Sequence, residues 1–131
     1  MRTDHYFDSC GAGQIHYCKW TPEGEIRGIV QIVHGIAERL ERYTELLGYI
    51  ASCGGVAVIH DLRGHGRSVP NPRLIGHCGD LYETCRTDID AVYYSINENP
   101  VNRFPYLYKF NFHVAKLINN GKRKNFYDMR R

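Results

Sequence analysis

No apolar run in this 131-residue chain approaches the roughly 18 residues that a membrane-crossing helix needs. The opening Met1-Arg2-Thr3-Asp4-His5 has none of the apolar core of a secretory leader, so the cytoplasm is the expected compartment. The five cysteines, Cys10, Cys18, Cys53, Cys78 and Cys85, are odd in number and never spaced Cys-x-x-Cys. That argues against a disulfide framework or a cysteine-rich zinc site and favours free thiols. The seven histidines fall singly, with no His-Glu-x-x-His, and no metal centre is expected. Acidic residues are scarce late in the chain: residues 101–131 hold 8 Lys/Arg and 1 Asp/Glu (net +7), while residues 1–100 hold 9 and 13 (net −4). A basic end can contact nucleic acid or an anionic surface. Here no zinc finger, recognition helix or aromatic platform frames it, and nucleic-acid binding is not expected.

An apolar fraction of 43% allows a packed core and suits one domain. Tyr6-Phe7 and Ile15–Trp20 flank Gly11-Ala12-Gly13-Gln14, which reads as a hairpin. Ile29–Val33 is β-branched and mostly apolar, as a strand covered on both faces should be. A helix is expected from about Glu38 to Cys53. Its stripe is Leu40, Tyr43, Leu47 and Ile50, widened by Leu46, and Gly54-Gly55 stops it. Val56–Ile59 reads as a second buried strand, which completes a βαβ unit with parallel strands. Ser68–Gly79 reads as an irregular loop. A second helix fits Asp80–Ile96, with a stripe of Leu81, Cys85, Ile89, Val92 and Ile96. Phe104–Phe110 allows a third parallel strand, with Pro105 confined to its start or to an edge. Beyond Asn111 the signal weakens to a short helix and a basic tail. The fold class is therefore α/β, mostly parallel, with an N-terminal hairpin before the βαβ units.

Loops at the carboxyl ends of parallel strands face the ligand crevice. His34-Gly35-Ile36 lies at one such end. Gly35 lets the backbone turn closely, so the Ile36 amide can point into a site, and His34 can brace the loop. Alone, the pair favours a structural turn over an oxyanion loop. Asp61-Leu62-Arg63-Gly64-His65-Gly66-Arg67-Ser68 ends the next strand. There Asp61 and Arg63 are expected to tie the loop down by charged hydrogen bonds. Gly64 and Gly66 permit tight turning, and His65 and Ser68 supply contacts to backbone. Neither loop matches a phosphate-binding glycine motif, and no cofactor is expected. Asp80, Asp88 and Asp90 read as a helix start and a solvated face.

The order His34-Gly35-x-x-Glu38, Arg42-Tyr43, then Asp61-x-Arg63-Gly64-His65-Gly66-x-Ser68 resembles the α/β-hydrolase group that includes monoacylglycerol lipases, lysophospholipases and serine-aminopeptidase-like hydrolases. Trp20 after a strand and Asp88-Ile89 in the later helix fit the same pattern, and the likeness spans roughly residues 5–108. The resemblance implies ester hydrolysis through an acyl-enzyme, with one oxyanion amide at Ile36. It also implies a structural signature at Asp61, Arg63, Gly64, His65, Gly66 and Ser68. Residues 1–110 then correspond to the N-terminal part of such a domain, and 111–131 to a divergent basic tail.

The group next carries Gly-x-Ser-x-Gly after a buried strand. Here the chain reads Asn111-Phe112-His113-Val114, and none of Ser9, Ser52, Ser68 and Ser95 stands in that motif. Gly76-His77-Cys78-Gly79 continues with Asp80 and is preceded only by Leu74-Ile75, too little for a strand presenting an elbow. No catalytic nucleophile, acid or histidine can be assigned. Three readings remain: a truncated serine hydrolase, inactive alone, whose small ester substrate belongs to intact relatives; a non-catalytic fragment that pairs with itself or with a separately encoded second half through an exposed sheet edge; and a basic binding module.

Overall fold

The structure, a computed structural model, describes residues 1–9 and 13–97 and the backbone of 107–111; the side chains of 81, 82 and 97 are not described. The elements are β1 (Arg2–Ser9), β2 (Gly13–Trp20), β3 (Gly28–Val33), α1 (Thr44–Ser52), β4 (Gly55–His60), α2 (Leu81–Asn97) and β5 (Leu107–Asn111). Short 3₁₀ turns span Leu40–Tyr43 and Pro72–Leu74. The sheet order is β1-β2-β4-β3-β5. β1 pairs antiparallel with β2, and β2 antiparallel with β4. β3 lies between β4 and β5 and is parallel to both. The hairpin, the βαβ unit and the third parallel strand expected from the sequence are all present, and the fold is an incomplete α/β sheet.

Strand alternation divides the core into two layers. On one face Cys18, Trp20, Ile32, Ala57 and Ile59 pack against Leu40 and Leu47 of the α1 region. On the other, Ile29, Val56 and Val58 pack against Val92 and Ile96 of α2. Val33, Leu62, Cys85 and Ile89 form a third cluster near the carboxyl ends of the strands. Because β3 and β4 are covered on both faces, their sequences are nearly continuous in apolar residues.

The first helix differs from its expected span of 38–53. It starts in α form only at Thr44, after the 3₁₀ turn. Glu38 is occupied elsewhere: its carboxylate accepts hydrogen bonds from the Gly35 amide and the Tyr43 hydroxyl. Arg39 precedes the 3₁₀ turn and offers no side-chain cap. The Leu40 amide is capped instead by Asp61 Oδ1 at 2.8 Å, twenty-one residues away. Leu46 does not widen the apolar stripe. It is exposed, because its neighbour Leu47 takes the sheet-facing position and the next residue lies about 100° around the helix.

Other differences are local. The 68–79 segment, read as irregular, contains the Pro72–Leu74 turn, capped by Asn71. The α2 stripe at Cys85, Ile89, Val92 and Ile96 is buried, and Asp80 caps this helix by accepting from the Glu83 amide at 3.2 Å. Asp88 is not on a solvated face: it is 1% exposed. The expected hairpin tip at Gly11-Ala12, residues 104–106 of the last strand, the short helix and the basic tail lie outside the described residues.

Leu47 is fully buried between helix and sheet. Leu47→Ala is expected to lower unfolding stability by about 3 kcal/mol through lost burial and the cavity left behind, read from the urea midpoint at unchanged slope.

Candidate active-site scaffold

A cleft of about 810 Å³ opens among the segments that follow β3 and β4, with Ile36, Glu38, Arg42, His65, Val69 and Ile75 among its lining residues. A second cleft, near Trp20, Glu25, Arg27 and Gly54, lies toward the amino ends of the parallel strands, away from the loops singled out by sequence.

The chain leaving β3 folds into a turn closed by the Glu38 amide donating to the Gly35 carbonyl at 3.0 Å. The Gly35 amide donates back to Glu38 Oε2 at 3.1 Å, and Tyr43 donates its hydroxyl to the same oxygen. These contacts, Tyr43's foremost, hold the Glu38 carboxyl below its usual range. Burial, followed by the Glu38 contact, raises the Tyr43 phenol to about 12.

His34 is fully buried and joins the two loops. Its Nε2 accepts the Leu62 amide at 3.0 Å. Nδ1 must then carry the ring proton, which it donates to the Gly35 carbonyl at 2.8 Å. Burial lowers the His34 pKa, which favours this neutral tautomer. His65 completes the bridge: one ring nitrogen lies 2.8 Å from the Arg63 carbonyl and the other contacts the Ile36 carbonyl. Among the described residues the Ile36 amide makes no hydrogen bond, and its side chain is exposed.

Asp61 is the hub of the second loop. Besides the Leu40 amide, it accepts the Arg67 amide at 3.0 Å and His16 Nδ1 at 2.9 Å. Ser68 donates its hydroxyl to the Asp61 carbonyl at 2.8 Å and accepts the His16 amide at 3.0 Å, which fastens the loop to β2. Arg63 reaches Asp88 through Nε at 2.8 Å and Nη2 at 3.2 Å, and it also donates to Ser9, which donates to Asp88. Gly66 sits at φ +50°, where an added Cβ would lie 2.2 Å from Asp61 Oδ1. Gly64, at φ +73°, would press a Cβ to 2.7 Å from the His77 carbonyl.

Sequence reasoning missed Ser9, His16 and Asp88 as partners of these loops. They come from the hairpin and α2; no linear motif includes Ser9 or His16, and Asp88, which fits the group pattern, carries no sign of its partners in the local sequence. It also placed Glu38 in a helix rather than in the turn it closes.

The four serines can be followed individually. Ser68 donates to the Asp61 carbonyl and Ser9 to the Asp88 carboxylate, while Ser52 and Ser95 donate to the helix carbonyls of Tyr49 and Val92. None donates to an imidazole, so none is activated as a nucleophile. Cys78 is partly exposed, with Sγ 3.9 Å from the Gly76 carbonyl and no hydrogen bond to His77 among the described residues. One cluster, Asp4, His16 and Cys18, carries the donor set of a metal site; it does not line the cleft.

A family model described as serine aminopeptidase, S33, matches residues 24–107. The chain belongs to this family of α/β hydrolases. The chain is similar to a monoacylglycerol lipase of Mycolicibacterium smegmatis, 39% identical over 99 residues, which cover 76% of this chain and 34% of that protein. Protein K6 of Vaccinia virus is 36% identical over 63 residues, covering 48% of this chain and 78% of K6. Among solved structures, a highly thermostable carboxyl esterase from Bacillus coagulans superposes with TM-score 0.69 at 27% identity, covering 84% of this chain and 35% of the esterase. The chain thus spans about a third of the length of this lipase and esterase. No described helix is long and apolar enough to cross a membrane.

Two outcomes follow from this geometry. Asp61→Ala strands three donors, one of them the cap of the α1 region, and should cost about 3 kcal/mol or more, measured by urea unfolding. The second concerns His60, whose buried ring nitrogens have no partner among the described residues and whose pKa burial lowers to about 4. The unfolded chain protonates this histidine near 6.5, so it binds more protons than the native state between those values. Stability should therefore fall by about 2 kcal/mol from pH 7 to pH 5, and His60→Leu should flatten that slope.

Proposed function

We propose that this chain supplies half of an oxyanion hole to an ester hydrolase and is catalytically silent by itself. The observation that carries this reading is the Ile36 amide, unpaired among the described residues, in a loop whose Gly35 and Ile36 carbonyls, Gly35 and Glu38 amides and Glu38 carboxylate are held by hydrogen bonds. Acyl transfer needs donors fixed in advance at the carbonyl oxygen that becomes negative. The loop has that character: His34, Glu38 and His65 hold the backbone on both sides of Ile36.

The substrate class is a carboxylic ester of monoacylglycerol or lysophospholipid type. The names of the mycobacterial lipase and the bacterial esterase support it. So does the apolar lip of Ile36, Val69 and Ile75 on the cleft, which suits an acyl chain. The attacking hydroxyl must come from a segment bearing Gly-x-Ser-x-Gly, since the four serines here are committed elsewhere. Its oxygen adds to the ester carbonyl while the oxyanion accepts from the Ile36 N–H. The alcohol then leaves with a proton, and water releases the acid from the acyl-enzyme.

The outer edge of β5, unpaired among the described residues, suits the addition of that segment by parallel strand pairing, with self-pairing as the competing outcome. The match to most of Protein K6 supports a role for this region apart from a full-length hydrolase. The reading includes a cytoplasmic location and no role for nucleic acid.

A fluorophosphonate probe tests it. The folded chain alone should take up no label, and a polypeptide carrying the elbow and the later triad residues should be labelled once the chain is added. In that assembly Ile36→Pro removes the amide at a turn position proline favours and should slow acylation about 10²- to 10³-fold. Labelling of the chain alone would overturn the proposal.

A further inference from the structure

The hairpin gathers three metal-ligating side chains that no linear motif records. His16 and Cys18 are two residues apart on β2 and so share a face, and Asp4 on β1 is the direct cross-strand partner of Cys18. Asp4 Oδ1 lies 2.8 Å from His16 Nε2 and 2.9 Å from Cys18 Sγ, and the nitrogen and sulfur are 3.6 Å apart. His16 and Cys18 are fully buried, while the Asp4 side chain is about one-third exposed and opens the cluster to solvent.

We propose that Asp4, His16 and Cys18 form a binding site for a divalent transition metal of zinc type, with water in a fourth position. The donor set of imidazole nitrogen, thiolate sulfur and carboxylate oxygen is one that zinc takes at roughly 2.0–2.3 Å. Closing a tetrahedron requires the two shorter donor separations to open by about half an ångström. The second shell is already built. Asp61 lies 2.9 Å from His16 Nδ1 and can accept the ring proton there once a metal displaces the Nε2 contact to Asp4, the carboxylate–histidine–metal arrangement.

The cluster already attracts a cation. Arg2 Nη2 lies 3.1 Å from Asp4 Oδ1 and 3.3 Å from Cys18 Sγ. Arg2 also has an anchor outside the cluster, donating to Glu41 at 2.7 and 3.0 Å while lying over the Trp20 ring. The guanidinium can therefore withdraw toward Glu41 as a metal enters. Arg67 Nη1, 3.4 Å from Asp4 Oδ1, is more than half exposed and free to turn outward. Burial, with Asp4, holds the Cys18 thiol up at about 12. Metal capture must displace that proton: Cys18–SH + M²⁺ gives Cys18–S–M⁺ + H⁺. The loaded site would clamp β1 to β2 and, through Asp61, to the loop after β4.

Cobalt(II) is the probe, added to the full chain with Cys10, Cys53 and Cys78 replaced by serine. One equivalent should produce a sulfur-to-cobalt charge-transfer band. The band should vanish in Cys18→Ser. Asp4→Asn should weaken binding about tenfold or more, and Arg2→Gln, which removes the competing cation, should tighten it. No sulfur band in the folded chain, a band that survives Cys18→Ser, or affinity unchanged in Asp4→Asn would each overturn the proposal. If Cys18→Ser does not fold by circular dichroism, the Asp4→Asn affinity decides.

Discussion

The carboxylate of Asp61, 2% exposed, accepts from the amides of Leu40 and Arg67 and from the His16 ring. These donors belong to the segment entering α1, the loop after β4, and β2. A buried carboxylate is costly unless every lone pair is used, and here that requirement sets the positions of three chain segments at once. Gly66 is part of the same constraint, since its missing Cβ leaves the space the carboxylate occupies. The Asp61 carbonyl, bound by Ser68, extends the arrangement by one further contact to the hairpin.

The loop after β3 is fixed from this hub outward. Leu62, the next residue, donates its amide to His34, and His34 in turn donates to the Gly35 carbonyl. Glu38 closes the turn from the opposite side, and His65 holds the Ile36 carbonyl. The result is a backbone segment held on both flanks of Ile36, whose own amide makes no hydrogen bond among the described residues. Such preorganisation is what separates an oxyanion loop from an ordinary turn, because a donor that must reorganise during the reaction contributes less. This shell consists of residues already present in the chain and does not depend on a nucleophile.

Periodicity exposed the elements whose environment is uniform along their length. β3 and β4 are apolar throughout because both faces are covered, and the α2 stripe repeats at helical spacing. The start of the first helix was illegible because its cap, Asp61, is remote in sequence. Leu46 misled because hydrophobicity alone does not tell two neighbouring leucines apart when the sheet can face only one. Asp88 looked like a surface charge because its partners, Arg63 and Ser9, lie 25 and 79 residues away. The site loops were visible as motifs, and their glycines signalled tight turns. The roles of His16 and His34 as connectors depend on cross-strand register and on which ring nitrogen faces which amide, and neither is written in residue order.

Amide hydrogen exchange on the folded chain, resolved by residue, tests the central claim that Asp61 and His34 hold a loop in which the Ile36 amide stays unbonded. Leu40, Leu62 and Arg67 should exchange slowly, by the same opening event, while Ile36 exchanges fast. Similar fast rates at all four amides, or protection at Ile36 equal to that at Leu62, would contradict the account.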